Sequence, residues 1–173
     1  RSNVDFIMPY GFRFSIVGGY DLDDTYATSS LNTFYGQYAP TGGEISKTFQ
    51  RESTLNLQQL LTWNHSYGEN HIDVLLGHEY YDRDEQYLNG NKQGMFHYNA
   101  RELDQAIRQP QTSSNRHRYR VEGFLGRAQY DWAEKYFLTL SFRRDGSSRF
   151  AEKNRWGNFG SVGASWMLSN ESF

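Results

Sequence analysis

The sequence predicts an all-β fold of antiparallel up-and-down strands forming part of a large transmembrane β-barrel. Three observations carry that prediction. Apolar and polar side chains alternate every two residues in six segments, the connections alternate between short and long, and aromatic residues gather near the strand ends. Side chains on a strand point to opposite faces in turn, so a period of two gives one apolar and one polar face. Long alternating strands flanked by aromatic girdles are the pattern of a barrel wall.

The first strand is expected over residues 10–28, with Phe12, Phe14, Ile16, Gly18 and Tyr20 on one face and Arg13, Ser15, Val17, Gly19 and Asp21 on the other. The second, 48–66, places Leu55, Leu57, Gln59, Leu61 and Trp63 opposite Asn56, Gln58, Leu60 and Thr62. The third, 71–88, carries Ile72, Val74, Leu76, His78 and Tyr80 on its apolar face. The fourth, 119–132, carries Gly126, Ala128, Tyr130 and Trp132 but changes phase, because Tyr119 and Val121 are odd-numbered. A bulge at Glu122-Gly123 or a misplaced strand start accounts for the change. The fifth, 136–147, shows Tyr136, Leu138, Leu140 and Phe142, and the sixth, 158–169, shows Val162, Ala164, Trp166 and Leu168.

Two connections are short, Tyr67-Gly68-Glu69-Asn70 and Ala133-Glu134-Lys135, while 29–47, 89–118 and 148–157 are longer. Outer-membrane barrels have short periplasmic turns and longer extracellular loops. The first expected strand therefore runs outward. The stretch from Phe12 to Leu22 is 11 residues long, close to the 9–11 residues or so that a tilted strand needs to cross the hydrocarbon. Within 89–118, Asn99 stands three residues before Glu102, and Leu103, Ala106 and Ile107 share a face. That spacing predicts one short helix, ended by Pro110.

Composition fits the wall. Aromatic residues make up 17% of the 173 residues, yet mean hydropathy is −0.82. A net charge of −2 gives no electrostatic reason to expect nucleic acid as a partner. No apolar run is long enough for a spanning helix. Cysteine is absent, which excludes disulfides, thiolate metal sites and cysteine nucleophiles. Arg1-Ser2-Asn3 lacks the shape of a signal peptide, so the expectation is a processed or internal piece. The rival reading is a soluble β-sandwich that binds glycans, whose inner face also alternates but whose strands are usually shorter, about 5–6 residues.

The wording of 126–166 adds a resemblance. Arg143 to Phe150 reads RRDGSSRF and Asn154 to Ser161 reads NRWGNFGS; Leu75 to Asp82 reads LLGHEYYD, and Gly126 to Asp131 reads GRAQYD. These phrases resemble SusC/RagA-type TonB-dependent outer-membrane transporters. One departure is Gly160, where the family usually has proline. The resemblance implies a plugged barrel energised through TonB, a SusD-like lipoprotein lid over its mouth, and import of oligosaccharides or oligopeptides. Such a barrel needs about 22 strands. The whole of 1–173 is therefore expected to be a part of the wall, about six strands, with no plug domain.

Few residues suggest chemistry. Phe96, His97, Tyr98 and Trp156 fall in the expected loops, where aromatic faces can stack on sugar rings, pack loop on loop or meet the lid. Arg143, Arg127 and Asp73 belong by phase to the lumen face and are read as structural. His65 and His71 flank a turn but lie on opposite faces, so no metal site is expected. Asp21-Leu22-Asp23-Asp24 and Asp82-Arg83-Asp84-Glu85 are read as solvated carboxylates, since calcium needs about six to eight converging oxygens. There is no Ser-His-Asp spacing, no glycine-rich phosphate loop and no HExxH, so neither a catalytic residue nor a cofactor is expected.

Overall fold

The structure is a computed structural model that describes residues 1–171. Seven strands run in chain order: β1 Ser2–Ile7, β2 Phe12–Leu31, β3 Glu44–Tyr67, β4 Asn70–Met95, β5 Ala106–Trp132, β6 Tyr136–Ser147 and β7 Trp156–Trp166. They form one antiparallel sheet in the order β1-β2-β3-β4-β5-β6-β7, with no crossover. Among the described residues no second sheet covers either face, so the sandwich reading falls.

Three differences from the sequence expectation have physical causes. β1 was not anticipated. Only Val4 and Phe6 alternate there, and the strand owes its place to pairing along β2, where Val4 meets Ile16 and Phe6 meets Phe14. The two phenyl rings lie 6.3 Å apart. Next, most of the expected loop 89–118 is strand, because β4 continues to Met95 and β5 starts at Ala106. Finally, no α-helix forms after Asn99. The segment holds a three-residue 3-10 turn, Leu103–Gln105, closed by a capping box between Glu102 and Gln105. The capping signal was present in the sequence but sat one turn further on.

Of the two accounts offered for the phase change in β5, the bulge is absent from its pairing with β6, and the strand start was misplaced, since β5 begins at Ala106. The register runs unbroken from Val121 opposite Ser147 to Trp132 opposite Tyr136. β6 and β7 likewise pair without a slip from Tyr136 opposite Trp166 to Gly146 opposite Trp156. Tyr119 and Val121 are therefore apolar residues on the face of Arg127 and Arg143, and the phase of the strand is constant.

The chain divides into two compact units. The first comprises Arg1–Tyr20, Thr54–Asp82 and the chain from Tyr119 onward. Among the described residues, nothing apolar covers one of its faces. Leu76 on β4, Phe124 and Trp132 on β5, Leu138, Leu140 and Phe142 on β6, and Val162 and Trp166 on β7 are all exposed. The second comprises Asp21–Ser53 and Arg83–Arg118 and has a small core of its own. Ile45, Met95, Ala100 and Ala106 are buried there, with Leu103 packed against them. Gly43 makes this possible at the end of the loop that leads into β3. Its φ is +79° and a Cβ would stand 2.7 Å from the Leu31 carbonyl oxygen.

Candidate functional site

The polar face of the first unit is organised around Arg143. Its Nη2 donates to Glu79 on β4 at 2.7 Å, and its Nε donates to Asp145 at 2.8 Å. β5 lies between β4 and β6, so the guanidinium passes over an intervening strand. Gly123 is the residue beneath it: a Cβ there would lie 2.7 Å from Asp145 Oδ1 and 3.2 Å from Arg143 Nη2. Gln58 adds a hydrogen bond to Glu79 at 3.0 Å. Nearer the short turns, Asp73 accepts from the Asn64 carboxamide at 2.7 Å. Arg127 lies opposite Ser141, two pairs along from Leu125 and Arg143. The three residues expected on the lumen face thus share the polar face, but Asp73 and Arg143 belong to separate clusters.

The apolar face is bounded near the short turns by stacked rings. Trp132, Tyr136 and Trp166 stack in series at 5.5 and 6.0 Å, and Phe12 stacks on Trp63 at 5.8 Å. Glu171, which the sequence did not single out, ties this region together. It accepts from Tyr136 Oη at 2.8 Å, Lys135 Nζ at 3.1 Å and Trp166 Nε1 at 3.1 Å. Those donors, Tyr136 first, hold its carboxyl below the usual range. The two turn histidines do not converge: His65 stacks on Trp63, and His71 meets Ser66 Oγ at 2.8 Å.

The acidic clusters lie on strands, and Asp24, Asp82 and Asp84 each meet an arginine. In the second unit, Asp84 receives Arg116 Nε at 2.9 Å, and Asp24 receives Arg51 Nε at 2.7 Å. In each case the arginine hydrogen bond lowers the carboxyl pKa. In the first unit, Asp82 accepts from Tyr80 Oη at 3.1 Å and Arg120 Nε at 3.2 Å.

The aromatic candidates divide between two places. Phe96, His97 and Tyr98 lie in the connection between β4 and β5, in the second unit. Phe96 and Tyr98 are exposed, and Tyr98 meets Phe34 at 6.1 Å. Trp156 opens β7 instead of lying in a loop. It pairs with Gly146 and so shares the face of Phe142 and Leu140, away from Arg143.

No family model matches the chain. It is 30% identical over 172 residues to a TonB-dependent receptor of Formosa agariphila, covering 92% of this chain. It is 28% identical over 183 residues to the TonB-dependent receptor SusC of Bacteroides thetaiotaomicron, covering 99% of this chain. In both cases the chain spans 17% of the relative's length. Its fold is that of one part of the structure of the RagAB peptide transporter, with a TM-score of 0.85 at 21% identity, covering 98% of this chain and 20% of that one.

Proposed function

We propose that this chain, which matches one stretch of SusC/RagA-type TonB-dependent receptors, is part of the barrel wall of an outer-membrane nutrient importer. The observation that carries the reading is the uncovered apolar face of the first unit. Leu138, Leu140, Phe142 and Val162 are exposed on adjacent strands, and soluble monomers rarely expose contiguous apolar patches above a few hundred Å² or so. Hydrocarbon is the medium that removes the cost of such a face. The inner strands have neighbours on both sides, and the outer edges of β1 and β7 need the strands that close the barrel, because hydrocarbon offers no other partner.

In this reading the Arg143 face lines a water-filled or plug-filled lumen. The three short turns, at Met8–Gly11, Gly68–Glu69 and Ala133–Lys135, are periplasmic. The long connections face outward, where Phe96, His97 and Tyr98 contact an oligosaccharide or oligopeptide or a SusD-like lid. The strands that close the barrel, the plug and the contact with TonB belong to the whole receptor. The part played by this chain is structural, and it carries out no reaction.

The test is thiol accessibility in whole cells expressing the full-length receptor. Tyr98→Cys is expected to react with an impermeant maleimide and Glu69→Cys is expected to stay unlabelled until the outer membrane is opened. Labelling in the reverse order refutes the topology, and recovery of the receptor in the soluble fraction refutes the wall.

A further inference from the structure

The apolar face of the first unit ends on a stack that crosses four strands. His78 on β4 stacks on Phe124 of β5 at 4.8 Å, Phe124 meets Trp156 of β7 at 6.1 Å, and Arg144 of β6 lies over the Trp156 ring at 4.9 Å. The indole can lie there because Gly146 is beneath it: a Cβ at Gly146 would stand 2.9 Å from Trp156 Cδ2. His78 also meets Glu122 at 3.1 Å, which gives that carboxylate a partner within the stack.

Arg144 differs from Arg143 and Arg120. Arg143 has Glu79 and Asp145, and Arg120 has Asp82. Among the described residues no carboxylate lies within ion-pair distance of Arg144, and the group it meets is the Trp156 indole. It is exposed, two residues beyond Phe142 on the face of Leu138, Leu140 and Phe142. Eight residues separate it from Tyr136. At roughly 3.3 Å per residue and a tilt near 40° that is about 20 Å of height. Hydrocarbon bands of barrels are about 25 Å tall, with the inner girdle at one edge. Arg144 therefore reaches the opposite edge, where headgroups begin. A guanidinium that lies over an indole and, among the described residues, meets no carboxylate keeps N–H donors for an anion, and such a fork can receive two phosphate oxygens. Headgroup phosphates are the anions present at that depth.

We infer that Arg144, seated on Trp156 and flanked by the His78–Phe124 stack, binds the phosphate of an outer-leaflet lipid headgroup. The inference rests on the barrel-wall reading, because it takes this face to be the lipid side. The test uses the full-length receptor in nonionic detergent, with bound lipid counted by native mass spectrometry during titration with phosphorylated lipid A. Dephosphorylated lipid A and inorganic phosphate form the other two arms. Arg144→Gln is expected to weaken retention of the phosphorylated lipid about tenfold. Arg144→Lys, which keeps the charge but not the fork, is expected to lose less, and retention of the dephosphorylated lipid should be unchanged. Heat-modified gel mobility confirms that each variant is folded. Equal retention by wild type and Arg144→Gln overturns the site. So does a matching loss with the dephosphorylated lipid, which would show apolar packing alone. Displacement of the lipid by millimolar inorganic phosphate overturns the lipid assignment in favour of a free-anion site. Failure of the barrel-wall reading shows separately, as absence of the receptor from the outer-membrane fraction.

Discussion

Arg143 on β6 and Glu79 on β4 are joined at 2.7 Å across the full width of β5, and Gly123 is the residue that lets them meet. Adjacent strands lie about 4.8 Å apart, so the bond links strands that are not neighbours and resists their sliding as a pair. Both side chains are partly exposed, 44% and 31%, so their coupling is expected to be about 1 kcal/mol or less. A double-mutant cycle with Arg143→Gln and Glu79→Gln, read by urea unfolding of the full-length receptor in vesicles, measures it. Gly123→Ala should bring that coupling close to zero by displacing the guanidinium. An intact coupling in that background would contradict the role given to the glycine.

Leu140 is exposed at the middle of the apolar run on β6. If hydrocarbon covers it, Leu140→Arg costs on the order of 2–4 kcal/mol near the midplane. Folding into vesicles from urea gives the value. The same substitution at Ser141, on the opposite face, should cost far less, and equal costs would remove the distinction between the two faces.

Gly11 ends the first short turn with φ at +84°, and a Cβ there would stand 2.0 Å from the Asn64 carbonyl oxygen. Backbone cannot yield as a flexible side chain does. Gly11→Ala is expected to destabilise the receptor by on the order of 1–3 kcal/mol or more, whereas Gly68→Ala, at φ +58° but with open space around it, should cost less. Their order in thermal unfolding checks the assignment.

Asp84 and Asp24 have carboxyl pKa values held below the ordinary 3.8 by Arg116 and Arg51. A carboxyl depressed on folding adds stability that is fully present above its unfolded pKa and fades as pH falls through its folded one. The second unit is therefore expected to keep constant protection from pH 7 to about 5 and to loosen below about 3.8. Amide exchange over 83–118, corrected for intrinsic rates, reads this. Asp84→Asn should remove part of the acid response, and an unchanged response would place its origin elsewhere.

Legibility of the fold followed the solvent on each side of the strand. β6 was readable to within a residue because Leu138 and Leu140 alternate with Thr139 and Ser141, one side apolar and the other polar. The segments Asn89–Gln93 and Gln111–Asn115 belong to strands too, but both of their faces are polar, so no period of two exists to be read. Pro110 was expected to end a helix, yet it sits within β5 beside Gln109 at φ +47°. The Arg143 face was legible from phase alone. Its partner Glu79 was not, because β6 meets β4 across a strand and no local spacing records that. Trp156 was misplaced by a boundary: starting the last strand at 158 left it in a loop, and starting it at Trp156 puts it beside Phe142.

The unbroken registers of β5, β6 and β7 make the last hairpin a module. β5 and β7 run in the same direction, and their even-numbered residues share the apolar face. Excising β6 and β7 together would leave an edge of the same polarity and the same sidedness, able to pair with whatever strand β7 would have met. Excising one strand would reverse the direction of every strand after it. Wall segments of this kind can therefore lengthen or shorten by pairs, and a lineage of such proteins can change its circumference in steps of one hairpin while each remaining strand keeps its own face to the same medium.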